Sequence, residues 1–439
     1  MAALAIPKTR SPARVGRAPK QRDPRERRRS DSSWDFRGQD TRYATHGIFR
    51  YPAMMVAPLV RRLIAEYGPV GGTGNLLDPF CGSGSALVEA MLHGMNSVGI
   101  DLNPFAVRLA TVKATPLDPE SLHQSKLDVE ARFNRLPVAP PEVDLPNLEA
   151  WFPPRAIQGL GRLRRAIQSV SPTYQGFFEI CLAETARHVS WTRRDEYKVF
   201  RIPKEKRGDW NPEVLATFSA VATRNVARME DFASMLPTPI HQARVLAGDV
   251  RTPGTIPKEE YDMIVTSPPY GDSRTTVAYG QFSSLSLAWL GYDRKAVNSI
   301  DRDSLGGTPV TDSKAPPASP TLAGHLRDIA AKDAGRAAEV SAFYDDLCTA
   351  FRNVAAALSP GARACVVVGN RTVKGVRLET DVILSELFEN ECGLVHEDTI
   401  VRGIPNKVMP LRNSPSNIAG HTGETMANEY VLVLSRPRG

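Results

Sequence analysis

The chain has 439 residues, 42% of them hydrophobic and 23% charged, an ordinary globular balance that excludes a low-complexity or collagen-like protein. No apolar run approaches the roughly 18 residues a membrane helix needs, and the five cysteines show no CxxC spacing, which argues against a disulfide framework or a zinc site and for a reducing cytoplasm. The net charge of +7 is uneven: residues 1–30 carry ten Lys or Arg against Asp23 and Glu26, and residues 151–207 carry twelve against five acids, so a polyanion docking on one side fits better than a uniformly basic surface.

Residues 1–33 are rich in Arg, Pro and Ser and poor in apolar side chains, and are expected to be a disordered basic tail. An extended Tyr51-Pro52 stretch leads to Pro58, which suits the first turn of a helix. Leu59, Val60, Leu63 and Ile64 then recur at helical spacing as a buried stripe. A strand over 75–79, a loop over 80–84, a helix over 85–93 and a strand over 97–101 make a strand–loop–helix–strand unit. That alternation predicts an α/β fold with a doubly wound, mostly parallel Rossmann-like sheet. The segment 116–239, opening on Pro137, Pro140, Pro141 and Pro146, reads as a mainly helical insertion. Further strands are expected at 244–248, 262–266 and 362–368, a helix at 340–358, and an antiparallel edge from 394–401 and 430–434. Residues 303–335, rich in Gly, Pro, Ser and Asp, read as a flexible loop.

Two short strings carry the chemistry. Asp78-Pro79-Phe80-Cys81-Gly82-Ser83-Gly84 follows a strand and opens a helix. Gly82 and Gly84 permit positive φ and close backbone approach, and the helix start offers free N–H groups. Asp78 can accept from a ligand amine, and Asp101, ending the next strand, can grip two ribose hydroxyls. In the second string, Ser267-Pro268-Pro269-Tyr270, consecutive prolines lock φ and remove donors, so carbonyl oxygens stand fixed without competing N–H groups. An exocyclic amine on a nucleobase needs such acceptors to draw its conjugated lone pair out of the ring. Tyr270 would stack on a base flipped out of the duplex.

With these motifs the chain resembles the S-adenosylmethionine-dependent DNA amino-methyltransferases of restriction–modification type, over about residues 46–115 and 240–435. The resemblance implies a class I methyltransferase sheet divided into a cofactor half at 34–115, a target-recognition insert at 116–239 and a catalytic half at 240–439. It makes Asp78, Pro79, Phe80, Gly82 and Gly84 the cofactor loop, Asp101 the ribose ligand and Asp249 the residue meeting the cofactor adenine. It sets Tyr51 near the methionine end, although Met54 and Met55 stand where the family often has Lys and an aromatic. Ser267, Pro268, Pro269 and Tyr270 become the catalytic clamp, and Ser at the first clamp position is typical of cytosine-N4 enzymes rather than adenine-N6 ones. It implies S-adenosylmethionine as cofactor, double-stranded DNA as partner, a restriction endonuclease acting on the same site as a second partner, and neither metal nor membrane. Within the insert, Arg193, Arg194, Lys198 and Arg201, interleaved with Trp191, Tyr197 and Phe200, are candidate DNA contacts, as is Arg274 just past the clamp. Cytosine C5 methylation is disfavoured because none of the five cysteines follows a proline. Adenine-N6 transfer is the second reading; an RNA base methyltransferase and a noncatalytic DNA-binding protein are weaker ones.

Overall fold

The central strands carry apolar residues at consecutive positions, so both faces of their sheet need covering. The computed structural model describes residues 22–193, 199–208, 210–272, 277–307, 318–404, 412–413, 423–424 and 427–438. Its strands are β1 (Arg28–Ser30), β2 (Asn75–Asp78), β3 (Asn96–Asp101), β4 (Ala243–Ala247), β5 (Tyr261–Thr266), β6 (Leu358–Gly369), β7 (Arg371–Val373), β8 (Val376–Leu378), β9 (Val395–Gly403), β10 (Arg412–Asn413), β11 (Gly423–Glu424) and β12 (Asn428–Ser435). Among the described residues, eight of these form one sheet in the order β1-β9-β12-β6-β5-β2-β3-β4, while β7–β8 and β10–β11 are separate pairs. The run from β4 to β6 is parallel, and β12 lies antiparallel between β6 and β9.

Side chains alternate between two apolar layers. Ile264, Val366 and Leu432 point into one, with Phe343, Leu347 and Phe351 of the helix Ala334–Ala357. Met263, Val265, Val367 and Val433 point into the other, with Leu59, Val60 and Leu63 of the helix Ala57–Tyr67. The insert is mainly helical, as expected, with helices at Pro119–Arg135, Pro154–Ile167, Pro172–Val189 and Val214–Met235. Its Phe178, Phe218 and Phe232 share one continuous core with Phe49, Leu87 and Phe105 from the segment before it.

Two expectations need correction. The disordered tail does not extend to residue 33: β1 pairs in parallel with β9, Arg28↔Thr399. The arginines that read as a solvated run have distant acidic partners. Arg28 Nε donates to Asp381 Oδ2 at 2.7 Å, and Arg27 Nη1 to Glu389 Oε1 at 2.7 Å. Trp34 is fully buried behind them, with the Arg62 guanidinium 3.9 Å from its ring centre. Residues 1–21 lie outside the described residues. Removing residues 1–33 is therefore expected to lower the urea midpoint markedly below that of a chain lacking only residues 1–21. Equal midpoints for the two truncations would show that β1 contributes nothing. The second correction falls within 303–335, where Pro320–Ala330 is a helix. Ser319 caps it by accepting from Leu322 N, Pro320 opens it, and Leu322 and Ile329 bury its inner face.

Candidate active site

Strands β3 and β4 extend from β2 on one side and β5 and β6 on the other, so the order reverses between β2 and β5. In an open α/β sheet, ligands bind outside the strand C-termini at such a switch point. The turns after β2, β3, β4 and β5 meet there around one pocket. Pro79, Phe80, Asp101, Asp249, Ser267 and Pro269 line it, with Tyr51 and Tyr279 closing one side.

The loop after β2 is held from below. Gly82 and Gly84 both have positive φ, +48° and +79°, and a Cβ on Gly84 would lie 2.9 Å from the Ala110 Cβ. The helix Ser85–Leu92 starts directly behind them. Asp101 organises this loop: its Oδ2 accepts from Gly82 N at 2.9 Å and its Oδ1 from Asn103 N at 2.8 Å. Asn103, buried, uses its amide to hold Tyr51 Oη (3.0 Å) and Ser283 Oγ (2.9 Å). Tyr51 stacks against Tyr279 with ring centres 6.0 Å apart. Asp249 is gripped by Arg251, Nη2 to Oδ2 at 2.7 Å, and Arg251 also reaches Asp346.

Burial raises both acids at the strand ends. It pushes the Asp101 carboxyl up to about 6 and the Asp78 carboxyl up to about 7. Asp78 joins the two motifs, since its Oδ1 accepts from Thr266 Oγ1 at 2.7 Å across β2 and β5. Its Oδ2 is buried without a hydrogen-bond partner. Beneath the loop, burial also pushes the Lys113 amine down to about 7, with Ser83 Oγ 3.4 Å away.

The second motif leaves β5 directly. Ser267 Oγ donates to the Val367 carbonyl at 3.1 Å, and Tyr270 Oη donates to Glu429 Oε1 at 3.2 Å. Burial, together with the nearby Glu429 carboxylate, pushes the Tyr270 phenol well above its ordinary value. Asp272, fully buried two residues on, pairs with Arg336 (2.8 Å) and Arg371 (3.1 Å).

Tyr51, Pro79, Phe80, Asp101, Asp249, Ser267 and Pro269 thus come together around one pocket. Asp78 lies under it, Pro268 is buried in the turn, and Tyr270, like Phe80, packs partly buried against the core. The insert residues are elsewhere. Exposed Arg193 lies 6.0 Å from the Phe200 ring and exposed Arg201 5.1 Å from Trp151, beside the Thr192–Arg201 bridge. Arg194, Lys198 and Arg274 lie outside the described residues. Sequence reading missed Asn103 and Glu429. The cap at Asn103-Pro104 was a readable signal for the first; the second offers none, being 159 residues from Tyr270.

A family model described as DNA methylase, of the N6/N4 methyltransferases, matches residues 8–112. The type II methyltransferase M.MvaI of Kocuria varians is 35% identical over 424 residues, 91% of this chain and 92% of that protein. The type II methyltransferase M.BsoBI of Geobacillus stearothermophilus is 24% identical over 303 residues, 61% of this chain and 57% of its own. Among solved structures, an rRNA methyltransferase from Streptomyces viridochromogenes is 14% identical with a TM-score of 0.28, covering 76% of this chain and 89% of its own.

Proposed function

The chain belongs to the type II DNA methyltransferases, which use S-adenosylmethionine, and we propose that its target is the exocyclic N4 amine of a cytosine flipped out of duplex DNA. When bound, the cofactor supplies an electrophilic methyl group on a sulfonium. The residues present fit it. Asp101 keeps lone pairs free for two ribose hydroxyls after accepting from Gly82 and Asn103. The buried, orphaned Oδ2 of Asp78 offers an acceptor under the same loop.

The observation that carries the amine-methylation reading is the direction of the Ser267 hydroxyl, while the choice of cytosine rests on serine standing at the first clamp position. Its proton goes to an acceptor within the protein, the Val367 carbonyl at 3.1 Å or the longer Tyr270 Oη at 3.4 Å, so toward the pocket Ser267 presents lone pairs. With the Pro268 carbonyl it gives an amine two acceptors and no rival donor. These draw the nitrogen toward tetrahedral geometry as the methyl arrives, and catalysis rests on positioning and fixed dipoles. Tyr270 offers the stacking face. Arg193 and Arg201 serve as DNA contacts of the insert, and a restriction endonuclease reading the same site is the second partner in this proposal.

Duplex DNA methylated in vitro, digested to nucleosides and analysed by mass spectrometry, is expected to contain N4-methylcytosine; N6-methyladenine alone would overturn the base assignment. Ser267→Ala is expected to lower kcat by about 100-fold, the scale of losing one fixed group at a reacting centre, with the cofactor Kd unchanged.

A further inference from the structure

We propose that Glu429 is a positioning residue for methyl transfer, holding the Tyr270 phenol as a donor so that the ring keeps one tilt and Ser267 faces the pocket as an acceptor. This rests on the reading of Ser267 and Tyr270 as the base clamp.

Glu429 enters the site from β12, the antiparallel strand, and reaches Tyr270 Oη through Oε1 at 3.2 Å. Its other oxygen, Oε2, takes the Arg402 guanidinium. Arg402 is itself fixed: its side chain is 3% exposed, and Nε donates to the Trp34 carbonyl at 2.7 Å. Both carboxylate oxygens are thus committed, which fixes the carboxylate in place and with it the direction of the phenol proton. Ser267 Oγ lies 3.4 Å from Tyr270 Oη and can donate to it as long as the phenol gives its own proton to Glu429. A phenol free to turn could donate to that oxygen and occupy a lone pair an incoming amine needs. Glu429 prevents this by taking the proton on the opposite side. A carboxylate is required because an amide would divide its two ends. The Arg402 cation claims the amide oxygen, which leaves an NH2 facing Tyr270 and forces the phenol to accept.

A double-mutant cycle tests the coupling, with Glu429→Gln, Tyr270→Phe and the double variant assayed by single-turnover methyl transfer on duplex substrate at saturating enzyme. Folding is followed by thermal melts and base capture by 2-aminopurine fluorescence at the target position. Glu429→Gln is expected to slow transfer about tenfold with the cofactor Kd unchanged, and to have no further effect in the Tyr270→Phe background, where there is no phenol to direct. If its full effect persists in that background, Glu429 acts structurally and the proposal fails while the clamp stands. If Glu429→Gln leaves transfer unchanged, the proposal fails while the clamp stands; if Tyr270→Ala, which removes the ring, also leaves transfer and fluorescence unchanged, the clamp reading falls with it.

Discussion

Asp101→Ala is expected to weaken S-adenosylmethionine binding by at least about 100-fold in calorimetric titration. Hydrogen bonds to a charged group are worth about 1.5–3 kcal/mol each, and two ribose hydroxyls would be lost together. Removing the carboxylate also releases Gly82 N and Asn103 N, so the cofactor loop loses its internal anchor at the same time. Duplex DNA affinity is expected to survive, because the proposal gives Asp101 to the cofactor ribose and not to the DNA. A variant that binds the cofactor normally would place the ribose elsewhere.

The same residue sets a pH dependence. Burial raises its carboxyl to about 6, and only the ionised form accepts from two hydroxyls. As pH falls through 6 a growing fraction of free enzyme is protonated, so binding must expel a proton and affinity should drop up to about tenfold per pH unit below that point. Kd measured from pH 5 to 8 tests the sign. Asp101→Asn should remove this step and leave any contribution from Asp78, whose carboxyl burial raises to about 7.

How far the site could be read from sequence follows the distance between interacting residues. The Asp78–Gly84 turn and the Ser267–Tyr270 turn are local: prolines, glycines and a strand end carry their signal within seven residues. Parallel strands buried on both faces announce themselves as continuous apolar runs, so β2, β3, β5 and β6 were legible within a residue or a few of their ends, except that β6 begins four residues early. The N-terminal strand was not, because composition cannot reveal that Arg28 meets Asp381 across 353 positions. A run of arginines without partners and one whose partners lie at the far end of the chain look the same in sequence. The helix Pro320–Ala330 had a readable start in Ser319-Pro320, which the surrounding Gly and Pro content obscured.

Asp272→Ala is expected to cause the largest loss of stability. The carboxylate is fully buried between Arg336 and Arg371, whose side chains are 10% and 11% exposed. Burial by itself would raise this carboxyl, but the two guanidiniums outweigh it and hold the group down to about 2. Removing one member of a buried ion cluster typically costs about 3–5 kcal/mol, because the remaining charges stay desolvated with less compensation; here Arg336 keeps Glu339, and the lower end of that range is expected. The loss should appear as a lower urea midpoint. It should also appear as lost methyl transfer below the melting temperature, since Asp272 fixes the exit of the turn that carries Ser267 and Tyr270. In the parent protein the stability contributed by this cluster is fully present above about pH 4, the ordinary aspartate range, and fades only as pH falls toward 2. Asp272→Asn tests charge against shape: it keeps the size and one acceptor but should recover little of the loss, because Arg336 and Arg371 lose the carboxylate they share, even though Arg336 retains Glu339. Full recovery by Asn would mean that hydrogen-bond geometry, and not charge, anchors the turn.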